Sequence, residues 1–458
     1  MTFSSPIFLF AFLPIVFLLY HLARKMQVKN TILMIASLVF YSFGRLDWLL
    51  LMLLSVFCNY IAGRCMKKPY AKVALIAAVT VNVGILCVFK YLNFFTHSLG
   101  LFTGIPQTHI ALPIGISFFT FQGMSYVIDS YRNPEESTTS FTKLLLYISF
   151  FPQLIAGPIV KYSDISMQID QRETSAEKTA AGIRRFVIGL AKKLFLANTM
   201  GYIVDHIYSL SANQIDAKVA WIAAILYALQ IYYDFSGYSD MAIGLGKMFG
   251  FTICENFRYP YSASSVKDFW RRWHISLSSW FRDYLYIPLG GNRRGKWKTY
   301  RNKIIVFFLT GMWHGANFTF ILWGLWHGVF LILEDHMTIK ERYRVLGRIY
   351  TFFVVVLGFV LFRAESLSQA GVMLSTMFVR WSGTAESALL LHNLLTVKVG
   401  IFFLLGVLFA FPVKNVMFNK IKHMIPEWGI QIAITVLLVL CILNLATDSF
   451  NPFIYTQF

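Results

Sequence analysis

Twelve stretches of this chain are apolar for long enough to cross, or nearly cross, a lipid bilayer: residues 6–22, 31–43, 47–63, 71–89, 110–128, 144–160, 183–204, 218–233, 303–333, 349–363, 398–413 and 430–446. The 303–333 run has room for one long crossing or two short ones. Backbone placed in hydrocarbon must satisfy its own hydrogen bonds, so runs of this kind fold as helices. Composition agrees: 57% of the 458 residues are hydrophobic and only 14% charged, where soluble domains carry about 25% charge. The 44 Phe, 23 Tyr and 11 Trp exclude a disordered chain. The expected fold is all-α and polytopic, with roughly ten to twelve transmembrane helices.

Several of these segments fall short of the about 20 residues of a straight span and carry helix breakers, at Leu112-Pro113-Ile114-Gly115, Phe151-Pro152 and Ala156-Gly157-Pro158. Non-helical backbone at membrane depth persists only against protein or a wet cavity, which predicts re-entrant or interfacial pieces around a funnel. Basic clusters at Arg24, Lys25 and Lys29, at Arg64, Lys67, Lys68 and Lys72, and later within 161–193, 258–303, 340–348 and 414–422 mark cytoplasmic loops. No basic side chain precedes the first apolar run, which therefore reads as a retained span with the N-terminus outside rather than a cleaved leader. The tail after Ala446 carries only Asp448 and is also placed outside.

A net charge of +19 fits such loops and attraction to anionic membrane lipid rather than nucleic acid. The five cysteines, Cys58, Cys65, Cys87, Cys254 and Cys441, form no C-x-x-C pair, so neither a disulfide framework nor a metal site is assigned. No internal repeat supports an inverted-repeat transporter.

Residues 264–288 read as one amphipathic helix. Ser265-Val266-Lys267-Asp268 has a helix-starting pattern, and Phe269, Trp273, Leu277, Trp280 and Tyr284 follow at helical steps. Arg271, Arg272, Arg282 and Asp283 interrupt the stripe with charge, which places the helix at the cytoplasmic interface or against the bundle. His274 shares its expected face with Trp270, Leu277 and Phe281, as a packing or a functional histidine. Pro288, Gly290 and Gly291 end the segment, and Arg293 and Arg294 follow.

The other notable imidazole is His314, inside the 304–333 apolar run and flanked by Gly311, Trp313 and Gly315, with Asn317 one helical turn on. An ionisable group there needs partners. It either hydrogen-bonds between helices or exchanges a proton near neutrality. His327 lies roughly 220° further round a continuous helix, facing away from His314, and reads as structural. Asp234 and Asp240, in Tyr233–Asp240, are carboxylates in apolar surroundings, suited to partner a histidine or arginine or to cap broken helices. The G-x-S-x-G, H-E-x-x-H, Walker A and G-x-G-x-x-G patterns are absent.

Residues 270–277 (Trp-Arg-Arg-Trp-His-Ile-Ser-Leu), 281–291 (Phe-Arg-Asp-Tyr-Leu-Tyr-Ile-Pro-Leu-Gly-Gly) and 312–316 (Met-Trp-His-Gly-Ala) resemble the membrane-bound O-acyltransferases, in the bacterial alginate O-acetylation branch. Residues 112–118, 151–158 and 234–240 match the same branch, in the same order along the chain. The resemblance covers nearly the whole chain as one domain, with N-terminal spans at 1–109, a catalytic core at 110–333 and C-terminal spans with an extracellular tail at 334–458.

This resemblance implies a cytoplasmic funnel leading to a mid-membrane neck, with the catalytic histidine at His314 and a second functional histidine at His274. Trp313, Asn317, Asp234 and Asp240 are supporting candidates. Arg271, Arg272, Arg282, Arg293 and Arg294 are candidates for the phosphates of acetyl-CoA, the expected donor, with no tightly bound cofactor. The expected activity is acyl transfer, most simply acetyl, to an exported or cell-wall polysaccharide. Partners would be the polysaccharide synthesis machinery and an extracytoplasmic SGNH-type acetyltransferase, in the bacterial inner membrane. Tyr455 fits a relay position near the tail, although Thr456-Gln457 replaces the aromatic and basic residues the branch often has there. D-alanyl transfer to teichoic acid from a carrier protein, or non-catalytic passage of an acyl group, are the alternatives.

Overall fold

A computed structural model describes residues 1–103, 106, 108–337, 343–383, 385–412 and 426–447. Tyr455 and the basic residues of 414–422 lie outside the described residues. All regular structure among the described residues is helical. Among the described residues, seven helices are long and apolar enough to span a membrane: Leu46–Arg64, Ala71–Ser98, Ala176–Tyr208, Ala217–Met248, Phe318–His336, Arg344–Arg363 and Glu427–Thr447. Ala385–Leu394 and Val397–Ala410, meeting at 75°, make an eighth if they form one broken span. The segment expected as a crossing at 6–22 is a shorter helix, Phe8–Leu22, and Leu367–Val379 is a short apolar helix that the sequence reading does not single out. The chain is a multi-pass membrane protein. Burial grades its helices: 83% of the most apolar window of Ala217–Met248 is buried in protein, against 6% for Glu427–Thr447, whose apolar surface suits lipid.

The described chain forms two compact units. The first comprises Met1–Phe186 and Tyr238–Glu255. Its centre is the helix Ile116–Arg132, buried continuously from Ile116 to Val127. The breakers at 112–115 and 156–158 give non-helical backbone, whereas Phe151-Pro152 opens a short helix, Phe151–Leu154, with the proline in its first turn, where no N–H is needed. Side chains satisfy the non-helical backbone. Tyr41 Oη donates to the Ile114 carbonyl at 2.9 Å, and Tyr147 Oη to that of Val160 at 2.8 Å. Asn93 both donates to the Ile110 carbonyl (2.7 Å) and accepts from its N–H (2.9 Å). Gly115, at φ +76°, carries the chain over the Leu154 carbonyl, where a Cβ would sit 2.7 Å from the oxygen. The two motifs at 112–118 and 151–158 are therefore one packed feature.

The second unit comprises Val187–Gly237 and Asn256–Phe458. The long apolar run at 303–333 is two helices here, Lys296–His314 and Phe318–Leu333, folded back on each other. Glycine makes the close crossing possible: a Cβ on Gly311 would land on the Phe320 carbonyl, and one on Gly324 on the Phe307 carbonyl. We expect Gly311→Val and Gly324→Val each to destabilise the protein by about 1–3 kcal/mol through overpacking against backbone. Gly84→Ala, whose Cβ would meet nothing within 4 Å, should leave the thermal unfolding midpoint in detergent unchanged. Equal midpoints for all three variants would refute this account of the crossing.

Candidate functional site

The polar centre of the second unit is built around a helix break that the sequence pattern conceals. The helix Val266–Arg272 starts as expected, with Ser265 Oγ accepting the Asp268 N–H at 3.0 Å. The Glu334 carboxylate also accepts the N–H groups of Val266 (2.5 Å) and Lys267 (3.0 Å). The expected single stripe then stops. Trp273 is extended, His274 is left-handed at φ 43° and ψ 55°, and a second helix runs Ile275–Phe281. A non-glycine residue held left-handed costs about 1–2 kcal/mol. The adjacent segment offsets it: the Arg258 N–H donates to the Arg272 carbonyl (2.9 Å), and the Ile275 N–H to the Asn256 carbonyl (3.0 Å).

The break separates Trp270 from the face it was expected to share with His274. The Trp270 ring lies against Phe307, Trp323 and His327, at 5.1, 5.7 and 5.2 Å between centroids. His274 is wholly buried, with Phe235 at 4.5 Å and Trp313 at 5.8 Å, both edge-on. Its Nδ1 lies 3.2 Å from Asn256 Oδ1 and 3.4 Å from Ser276 Oγ. Burial disfavours the imidazolium and pushes the pKa down to about 3, so the ring is neutral at physiological pH.

His314 is the last residue of its helix and is 3% exposed. Trp313, Trp323 and Phe362 surround the imidazole at 4.8, 4.9 and 5.0 Å, all near-perpendicular. The Trp313 indole thus touches both histidines.

Because the helix ends at His314, Asn317 is not a turn further along it. It caps the next helix: its Oδ1 accepts the Thr319 N–H at 3.1 Å, and its Nδ2 donates to the Glu365 carbonyl at 2.8 Å. The same break corrects the placement of His327. Trp323 lies between the two rings, 4.9 Å from His314 and 5.3 Å from His327.

Asp234 pairs with Lys193 at 2.6 Å, both almost fully buried. Asp240 belongs to the first unit, where it pairs with Arg185 at 2.8 Å. Among the arginines, Arg271, Arg293 and Arg294 are exposed. Arg272 is held by Asp268 at 3.0 Å, and the exposed Arg282 by Asp283 at 2.7 Å. Sequence reasoning missed Asn256, Phe235, Lys193 and Glu334. Each acts through a partner distant in the chain, so no spacing announces it.

The family model described as MBOAT, membrane-bound O-acyltransferase family, matches residues 70–362. A relative in Pseudomonas putida, named probable alginate O-acetylase AlgI, is 40% identical with both chains fully covered. A peptidoglycan O-acetyltransferase of Helicobacter pylori is 37% identical over 82% of this chain and 79% of its own. A teichoic acid D-alanyltransferase of Bacillus subtilis is 29% identical over 49% of this chain and 60% of its own.

Proposed function

This chain belongs to the membrane-bound O-acyltransferase family, and from that premise we propose that it transfers acetyl from cytoplasmic acetyl-CoA toward a hydroxyl of an exported or cell-wall polysaccharide. The observation that carries the reading is the pair of buried histidines flanking one indole, with His274 at 5.8 Å and His314 at 4.8 Å from Trp313. Two imidazoles so placed in an apolar interior suit proton handling where bulk water is excluded.

In this reaction His314 takes the proton of the attacking hydroxyl. The oxygen adds to the thioester carbonyl carbon, the carbon–sulfur bond breaks, and the departing thiolate of CoA receives that proton. His274, neutral throughout, orients the reacting groups. Arg271, Arg272, Arg282, Arg293 and Arg294 supply cations for the donor's phosphates. An SGNH-type partner outside completes transfer to the glycan, and Tyr455 is the chain's own candidate to carry the acyl group there. The same proposal places the protein in the bacterial inner membrane with both termini outside.

Radiolabelled acetyl-CoA supplied to the cytoplasmic face of membrane vesicles should put label, as ester, on the polymer. Label from D-alanyl carrier protein instead of acetyl-CoA would replace this donor assignment. Label accumulating inside the vesicle without ester would make the protein a carrier rather than a transferase.

A further inference from the structure

We propose that Asn256 is a positioning residue: together with Ser276 it holds His274 in the Nδ1–H tautomer, so that Nε2 presents a lone pair to a hydrogen carried by substrate. The inference rests on the role given to His274 above, but its geometry stands independently. Asn256 is 1% exposed, and its Oδ1 accepts the Ser276 N–H at 3.1 Å and the Ser276 hydroxyl at 2.9 Å. A backbone N–H only donates, so the amide atom facing it must be oxygen. That contact fixes which way the Asn256 amide points without any hydrogen being seen.

The same oxygen lies 3.2 Å from His274 Nδ1. Two lone pairs facing at that distance repel, whereas an N–H on Nδ1 makes a hydrogen bond. A neutral imidazole carries one N–H only, so Nε2 is left as an acceptor. Nε2 is buried and has no hydrogen-bond partner among the described residues. An unsatisfied buried acceptor is costly, and a substrate O–H or N–H supplies what it lacks. Phe235, Trp313, Asn256 and Ser276 all lie against the ring, and none of them is ionisable near neutrality. Asparagine rather than aspartate at 256 therefore orients the ring without drawing a proton onto it.

The direct test is solid-state NMR of ¹⁵N-histidine-labelled protein in proteoliposomes. Subtracting the His274→Gln spectrum should remove one neutral ring protonated at Nδ1. Loss of a ring protonated at Nε2 would overturn the proposal, whatever the activity data say.

The kinetic test uses the two Asn256 variants. Asn256→Ala should lower kcat by about 100-fold and leave KM for acetyl-CoA nearly unchanged. Asn256→Asp accepts the same N–H but stabilises the imidazolium, so it should keep its rate at alkaline pH and lose it, as pH falls, at a higher pH than the parent protein, whose own acid limb is set by His314. An alanine variant with the parent kcat, or an aspartate variant with the parent pH profile, would refute the positioning role. Full activity in His274→Gln would instead remove His274 from the reaction and leave the tautomer result to stand or fall alone.

Discussion

His314→Ala is expected to abolish most transfer, lowering the rate by about 10²–10⁴-fold, the range associated with removing a general base. That corresponds to about 3–5 kcal/mol of transition-state stabilisation. The scaffold should survive the change. The hairpin carrying His314 is held by backbone contacts at Gly311 and Gly324, and Trp323 keeps Phe362 as a neighbour at 5.0 Å. His314→Gln, which keeps polar groups and much of the volume but cannot shuttle a proton, should be equally impaired. Both variants should reach the membrane in normal amounts with KM for acetyl-CoA little changed. The measurement is acetyl ester on the exported polymer per unit of membrane protein. Full acetylation by either variant would end the catalytic assignment and leave His314 as a packing residue.

Much of the architecture was legible because the bilayer imposes a strong pattern. The long apolar helices, the Pro and Gly breakers at 112–115 and 156–158, and the Ser265 cap are local signals with counterparts in the structure, while Phe151-Pro152 starts a helix rather than ending one. Where the sequence misled, a distant partner decided the outcome. Phe269, Trp273, Leu277, Trp280 and Tyr284 keep helical spacing across a point where the helix is broken. The break is made by hydrogen bonds from 256–258, which periodicity cannot register. Likewise 304–333 contains no proline, and only the close approach at Gly311 and Gly324 reveals a fold-back.

The candidate site follows the same division. An imidazole in an apolar run announces itself, because a polar group there needs a reason. What orients it does not. Asn256 sits in a loop with no period, and its amide matters only because the break at His274 brings Nδ1 to it. Asp234 was visible as a buried carboxylate, but Lys193 lay in an earlier helix whose turn at Lys192–Ala197 is widened to π geometry. Such widened turns recur at functional sites.

That ion pair supports the second large effect. Lys193 and Asp234 are 2.6 Å apart, with side chains 4% and 2% exposed. Removing one partner leaves the other charge buried without its counter-ion, which costs about 3–5 kcal/mol, whereas replacing both by apolar residues of similar volume is often neutral. Lys193→Met and Asp234→Leu should therefore each lower the thermal unfolding midpoint markedly, and the double variant should recover most of the loss. Transfer activity should follow the same pattern, because Asp234 is adjacent in the helix to Phe235, whose ring lies 4.5 Å from His274. If the double variant is stable but inactive, the charges take part in the reaction beyond holding the helices. If the single variants are as stable as the parent, the pair contributes nothing to the fold.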